Sequence, residues 1–346
     1  MLSMQQYQDV SLAGYSTMRL GGKAKYAVEV TTRTELEEVV AWATEQTLPM
    51  IMVGIGSNIV WRDEGFDGLL IINKLMRYED FAEDETNHYV TMGSGENWDS
   101  VVARTVEAGL TGIEALSLIP GNSGATPVQN VGAYGQDISQ TLTSLEAYDT
   151  VTKAYVNIPA MDCGFGYRTS RFNGADKGRF FITAITLHLT TGNPQPPFYT
   201  SLQKYLDDKK ISDYTPVSIR AAVIDIRSHK LPDPAIVANN GSFFANPIVD
   251  AGTLAQIQSD YPEVPHWDTN EPGKIKLPAA WLVEQAGFKD FTDVETGMAT
   301  WPVQALVLVN KNAQSTADLL KFKQKIVDAV ANKFAVTLVQ EPELLP

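Results

Sequence analysis

At 346 residues, the chain is longer than one hydrophobic core usually serves, so two or three compact units are expected. Its net charge of −14 and pI near 4.7 repel nucleic acid, and an anionic small ligand would need a local cluster of Arg and Lys. With Cys163 as the single cysteine, no intramolecular disulfide can form and the sequence argues against a cysteine-based metal site. No apolar run approaches the roughly 18 residues that span a bilayer, and residues 1–10 lack the basic and apolar regions of a signal peptide. A cytoplasmic monomer without nucleic-acid, membrane or metal partners is the expectation.

In chain order, Thr34-x-x-Glu37 reads as a capping box opening a helix with Leu36, Val39, Val40 and Ala43 on one face. A strand at 50–53 follows, then the turn Gly54-Ile55-Gly56-Ser57-Asn58 and an apolar stretch to Trp61. Strands are expected near 68–72, 76–82, 88–93, 143–148 and 180–189, with a helix at 97–108 burying Trp98, Val101, Val102 and Val106. Pro194, Pro196 and Pro197 interrupt the pattern. Thr215-Pro216 then opens a helix running to about Ser228, and Pro278 and Gly287 bracket another. A buried strand at 303–309 and a helix opened by Ser315-x-x-Asp318 complete the series. These elements give three subdomains, at 1–66 (small α/β, with the C-terminal tail as a candidate addition), 67–213 (α+β) and 214–346 (mixed α/β).

Two glycine-rich segments stand out, Gly54 to Asn58 and Ile119-Pro120-Gly121-Asn122-Ser123-Gly124-Ala125-Thr126-Pro127, the second running on through Gln129, Asn130, Gly132, Ala133, Tyr134 and Gly135. Glycines let a backbone approach closely and turn successive N–H groups toward one anion, which suits a pyrophosphate. Either segment alone is also an ordinary tight turn. Gly54-x-Gly56 lacks the third glycine and the following helix of a Rossmann fingerprint. Residues 17–24 likewise fail as a P-loop.

The order of motifs is more specific than any one of them. Thr17-Met18-Arg19-Leu20-Gly21-Gly22 precedes Gly54 to Asn58 and the Ile119 to Gly135 segment. Gly166-Tyr167-Arg168-Thr169-Ser170 and Gly241-Ser242-Phe243-Phe244-x-Asn246-Pro247 follow. Over nearly the whole chain this series resembles the UDP-N-acetylenolpyruvoylglucosamine reductase (MurB) family, in its longer, type I branch.

The resemblance implies an α+β flavoprotein with the PCMH, or vanillyl-alcohol-oxidase-like, FAD fold and a C-terminal substrate domain. It implies non-covalent FAD, NADPH as electron donor and UDP-N-acetylglucosamine enolpyruvate as substrate. The FAD would be held by Arg19, Gly54, Ile55, Gly56, Ser57, Asn58, Ile119, Pro120, Gly121, Ser123, Gly124, Ala125, Gln129, Asn130, Gly132, Ala133 and Tyr134. It further implies that Arg168 faces the enolpyruvyl carboxylate, with Tyr167 beside it. A guanidinium holds both carboxylate oxygens and strengthens its grip as charge develops there. Ser242 matches the serine that protonates the carbon alpha to that carboxylate. Tyr199, in the insertion at about 190–215, matches a tyrosine over the uridine diphosphate, and Arg227, Lys230 and Asn246 match substrate-side positions.

Gln340-Glu341-Pro342-Glu343 matches the family's Glu-Pro-Glu, whose second Glu pairs with the serine. That implies Glu343 as the catalytic carboxylate, with Glu341 as the alternative, and Leu-Leu-Pro stands where the family has Val-Arg and a further strand. His88, His188, His229 and His266 lack ligand spacing, and Cys163 reads as a packing residue. An FAD-dependent oxidase of a small alcohol or sugar, and a non-catalytic flavin-binding protein, are the alternatives.

Overall fold

A computed structural model describes residues 4–269 and 271–346. The chain divides into two compact units that cut across the expected boundaries at 66 and 213. The first holds residues 4–10, Ala24–Ile55 and Phe66–His229. The second holds Ser11–Lys23, Gly56–Gly65 and Lys230–Pro346.

In the first unit, the order Tyr7–Ser11, Lys23–Val30, Phe66–Asn73, Met50–Val53 makes a small sheet whose last two pairings are parallel. Helix α1 (Arg33–Glu45) buries Leu36, Val39, Val40 and Ala43 as the periodicity predicts. Its capping box lies two residues earlier than expected. Thr32 accepts from the Glu35 N–H, and the Glu35 carboxylate accepts from the Thr32 N–H, in place of Thr34 and Glu37. The run Thr32-Arg33-Thr34-Glu35-Leu36-Glu37 permits both registers, and in the earlier one Leu36 lies a full turn into the helix, its N–H donating to the Thr32 carbonyl at 3.1 Å.

The larger sheet of this unit is antiparallel, with strand order Ala154–Pro159, Leu142–Asp149, Phe180–Thr191, Asn87–Gly93, Tyr78–Ala82, and Leu110–Thr111 on the long central strand. Helix α2 (Trp98–Glu107), capped by Asn97, lays Trp98, Val101, Val102 and Val106 into its core. At the sheet edge Arg179 makes two hydrogen bonds to Asp149, which is 2% exposed, and holds that carboxyl well below the usual carboxylate range. Helices α3 (Thr200–Asp208) and α4 (Pro216–Lys230) close a separate small core of Leu202, Leu206, Ile219, Ala222 and Val223 around Ala115. Thus the residues of α4 up to His229 belong to the first unit and not, as expected, to the C-terminal one.

In the second unit, Asn239–Ser242, Gln304–Asn310, Met298–Trp301 and Thr292–Asp293 form an antiparallel sheet. Around it lie α5 (Ala251–Asp260), α6 (Ala279–Val283) and α7 (Thr316–Phe334). A wider helical turn, Glu284–Phe288, extends α6 and ends where Gly287 takes a φ of 95°. Ser315 and Asp318 form the expected capping box on α7. The Asp63 carboxylate adds acceptors for the Thr316 and Ala317 N–H groups, 2.7 and 2.8 Å away. The core gathers Phe243, Phe244, Leu282, Phe322, Ile326 and Val330 with Met18, Leu20 and Val60. Those last three explain why two N-terminal segments fold with the C-terminal half. Among the described residues, no helix is long and apolar enough to cross a membrane.

Candidate active site

The first unit carries most of the glycine-rich cradle. A Cβ on Gly54 would strike the Asn122 carboxamide, and one on Gly124 would strike Ser94. Asn122, itself buried, ties the two glycine segments together. Its Oδ1 accepts from the Ile55 N–H (2.8 Å), and its Nδ2 donates to the Gly95 carbonyl (2.7 Å). Ser123 and Gly124 donate their backbone N–H groups to Glu96 and Ser94, and Ser123–Ala125 turns as a short 3₁₀ helix. Gly132–Ala133 pairs with Gln136–Asp137, so Tyr134 and Gly135, at φ 49° and 87°, form a tight hairpin turn. Ile119, Pro120 and Gln129 are half-buried along this path. Backbone brought this close, with no room for side chains, fits the pyrophosphate of a flavin dinucleotide.

Arg168 stands at the tip of a second hairpin, between Gly166 and Thr169, which bridge each other, and it has a φ of 56°. Three polar side chains fix this turn. Asn173 accepts from the Ser170 N–H and donates to the Arg168 carbonyl; Ser170 Oγ donates to the Val128 carbonyl; Asn130 Nδ2 donates to the Gly166 carbonyl. Arg168 Nη1 donates to the Gly132 carbonyl at 3.1 Å, and Tyr167, beside it, is exposed. The structure thereby ties the predicted arginine to the predicted cradle.

Tyr134 and Tyr199 meet edge to face, ring centroids 6.2 Å apart, over a cleft of about 350 Å³ also walled by Glu114, Gln136 and Phe198. Arg227 hydrogen-bonds Tyr134 and donates Nε to the Leu118 carbonyl at 3.3 Å. Burial pushes the Arg227 guanidinium down from its ordinary pKa, against the opposing pull of Tyr134 and Asp99. It also pushes the Tyr134 phenol up, with Arg227 opposing.

In the second unit, Gly56, Ser57 and Asn58 continue the turn. A Cβ on Gly56, at φ 74°, would strike the Tyr15 carbonyl. Asn240, 6% exposed, points its Nδ2 at Thr17 Oγ1 and at the carbonyls of Gly56, Ser57 and Ile59, 3.1–3.4 Å away. Ser242, half-buried, ends the strand Asn239–Ser242 opposite Val307, and the fully buried rings of Phe243 and Phe244 follow it. The segment expected to differ from the family is itself a strand. Glu343–Leu345 pairs in parallel with Ile59–Trp61, with the Glu343 N–H donating to the Asn58 carbonyl at 2.9 Å. One step earlier, the Glu341 N–H donates to the Phe243 carbonyl at 2.9 Å. The backbones carrying Ser242, Asn58 and Glu343 are therefore stitched together.

Other predicted residues make local contacts. Arg19 Nη2 donates to the carbonyls of Pro234 and Ala235, bracing the loop after Lys230, which is exposed. Asn246 Oδ1 accepts from the Ala279 N–H at the start of α6. Among the described residues, no cluster of His, Cys, Asp and Glu could hold a metal. Asn122, Asn173 and Asn240 are site-building residues that the sequence reading missed. Asn122 alone carried a signal, since it lies inside the second glycine segment.

Comparisons with known proteins fall on the same two regions. A model of the FAD binding domain matches residues 24–153. A model of the UDP-N-acetylenolpyruvoylglucosamine reductase C-terminal domain matches residues 233–345. The UDP-N-acetylenolpyruvoylglucosamine reductase of Ralstonia nicotianae is 36% identical over 337 residues, covering 96% of this chain and 97% of that one. That of Thermobifida fusca is 38% identical over 350 residues, covering 98% and 97%. The solved structure of the reductase from Thermus caldophilus has the same fold, with TM-score 0.68, 22% identity and full coverage of both chains.

Proposed function

The chain belongs to the UDP-N-acetylenolpyruvoylglucosamine reductase family, and on that premise we propose that it reduces UDP-N-acetylglucosamine enolpyruvate to UDP-N-acetylmuramate, a peptidoglycan precursor, using FAD and NADPH. Bound FAD supplies the hydride, drawn from NADPH, that enters the terminal vinyl carbon. Everything else falls to side chains of this protein. Arg168 holds the enolpyruvyl carboxylate, and its grip tightens as negative charge moves onto those oxygens. Ser242 Oγ–H gives its proton to the carbon alpha to that carboxylate. Glu343 is the acidic partner of Ser242 in that proton delivery. Tyr199, Arg227 and Lys230 are the residues assigned to the nucleotide diphosphate.

The observation that carries this reading is the strand pairing of Glu343 beside Asn58, with Glu341 beside Phe243. It sets both terminal glutamates beside this backbone, Glu341 next to the Ser242 strand and Glu343 next to the glycine turn, and the family's Glu-Pro-Glu pattern favours Glu343. The family match over residues 233–345 favours a reductase over an oxidase. Anaerobic stopped-flow absorbance separates the two half-reactions. Ser242→Ala is expected to leave flavin reduction by NADPH intact and to slow reoxidation by the enolpyruvyl nucleotide at least 10³-fold. Equal slowing of both halves would make Ser242 structural.

A further inference from the structure

We infer that Asp99 is a positioning residue for the cofactor: it forces Leu118 into a left-handed conformation and so aims the Ile119–Gly121 loop. The inference rests on the reading of that loop as part of the FAD cradle. Leu118 has a φ of 56°, a region a side chain with a Cβ enters only under compulsion. Both of its flanking peptides are held. Asp99 Oδ1 accepts the Leu118 N–H at 2.6 Å, and Arg227 donates to the Leu118 carbonyl. With both peptide planes fixed, φ and ψ at Leu118 have no freedom left.

Asp99 is itself immobilised by a two-pronged pair with Arg220 of α4, at 2.6 and 3.0 Å. Burial alone would raise the Asp99 carboxyl. The hydrogen bonds from Arg220 and the Leu118 N–H, with the charges of Arg220 and Arg227, hold it below the usual carboxylate range instead. The first turn of α2 also grips the rest of the segment. Trp98 donates its backbone N–H to the Gly121 carbonyl and its indole N–H to the Leu116 carbonyl. Residues 116–121 thus hang from two consecutive residues of α2, of which Asp99 holds the strained one on its N–H side while Arg227 holds its carbonyl.

Glycine takes a left-handed φ at no steric cost, so it would make Asp99 dispensable. The test is FAD affinity of the purified apoprotein, read by quenching of flavin fluorescence, with thermal unfolding as a control. Asp99→Ala is expected to weaken FAD binding about tenfold. Asp99→Asn, which keeps an acceptor for the Leu118 N–H, should lose about threefold. Adding Leu118→Gly to Asp99→Ala should bring the affinity back to within about threefold of Leu118→Gly alone. A merely structural Asp99 would show no such rescue. The inference fails if Asp99→Ala binds FAD as the wild type does, or if the glycine restores nothing. A wild-type protein that binds no FAD would instead overturn the cofactor reading itself.

Discussion

Arg168 and Ser242 are held in place by opposite means. The Arg168 turn is built from polar side chains gripping backbone: Asn173 and Asn130 each satisfy a carbonyl of a hairpin in which Arg168 is left-handed, and Ser170 Oγ ties the hairpin's end to the Val128 carbonyl. Ser242 owes its place to apolar packing. It ends a strand whose next two residues, Phe243 and Phe244, are 0% and 1% exposed, and its neighbour Gly241 takes a φ of 70°. A polar-capped turn is specific in geometry and cheap to open, whereas a strand anchored by buried rings opens only with its core. The Arg168 turn and the Ser242 strand should therefore fail separately and by different amounts.

The largest expected effect is on the packed side. Phe244→Ala removes a ring that meets Phe243 edge to face at 5.4 Å inside the core of the second unit. It should cost about 3–5 kcal/mol in urea unfolding. A loss under about 1 kcal/mol would mean that packing does not hold the Ser242 strand. On the polar side, Asn173→Ala deletes an acceptor for the Ser170 N–H and a donor to the Arg168 carbonyl. Its stability cost should be only about 1 kcal/mol. Its cost in substrate-driven flavin reoxidation should reach about tenfold, because a misaimed guanidinium loses its transition-state contact. If reoxidation is unchanged while stability drops as far as in Phe244→Ala, the contrast is wrong.

The same contrast explains what could be read from the sequence. Elements defined by apolar periodicity were legible: α1, α2, α7, the long strand Phe180–Thr191 and the buried strand Gln304–Asn310 all appear where the pattern puts them. Less regular elements were missed, among them Ala154–Pro159, α3, α5 and Glu343–Leu345, whose short or half-exposed runs carry little periodicity. Partners remote in sequence were invisible too. Met18, Leu20 and Val60 look like any apolar residues near an N-terminal strand, yet they belong to a core made mostly after residue 240. Asp99 binding Leu118 and Arg220, and Asn240 binding Gly56, Ser57 and Ile59, depend on contacts that no local rule encodes. The ordered motifs singled out Arg168, Ser242 and Glu343 as candidates; they could not say what braces each one.

The smallest expected effect is also the most direct probe of the polar turn. Cys163 closes the base of the loop that carries Tyr167 and Arg168, its carbonyl accepting the Arg171 N–H at 2.9 Å. Its side chain is 0% exposed, and burial pushes the thiol up to about 11, with Arg171 opposing. A neutral, buried thiol is a poor nucleophile. The native protein should therefore resist thiol reagents near neutral pH and react once per chain after unfolding. Because the thiol lies at the foot of the turn, its slow labelling counts openings of that loop. Asn173→Ala should speed labelling about fivefold with little change in the thermal midpoint. Phe244→Ala should lower the midpoint and leave labelling at low temperature near the wild-type rate. Parallel increases in both variants would show that the Arg168 turn opens only with the whole chain, and the distinction between a capped turn and a packed strand would collapse.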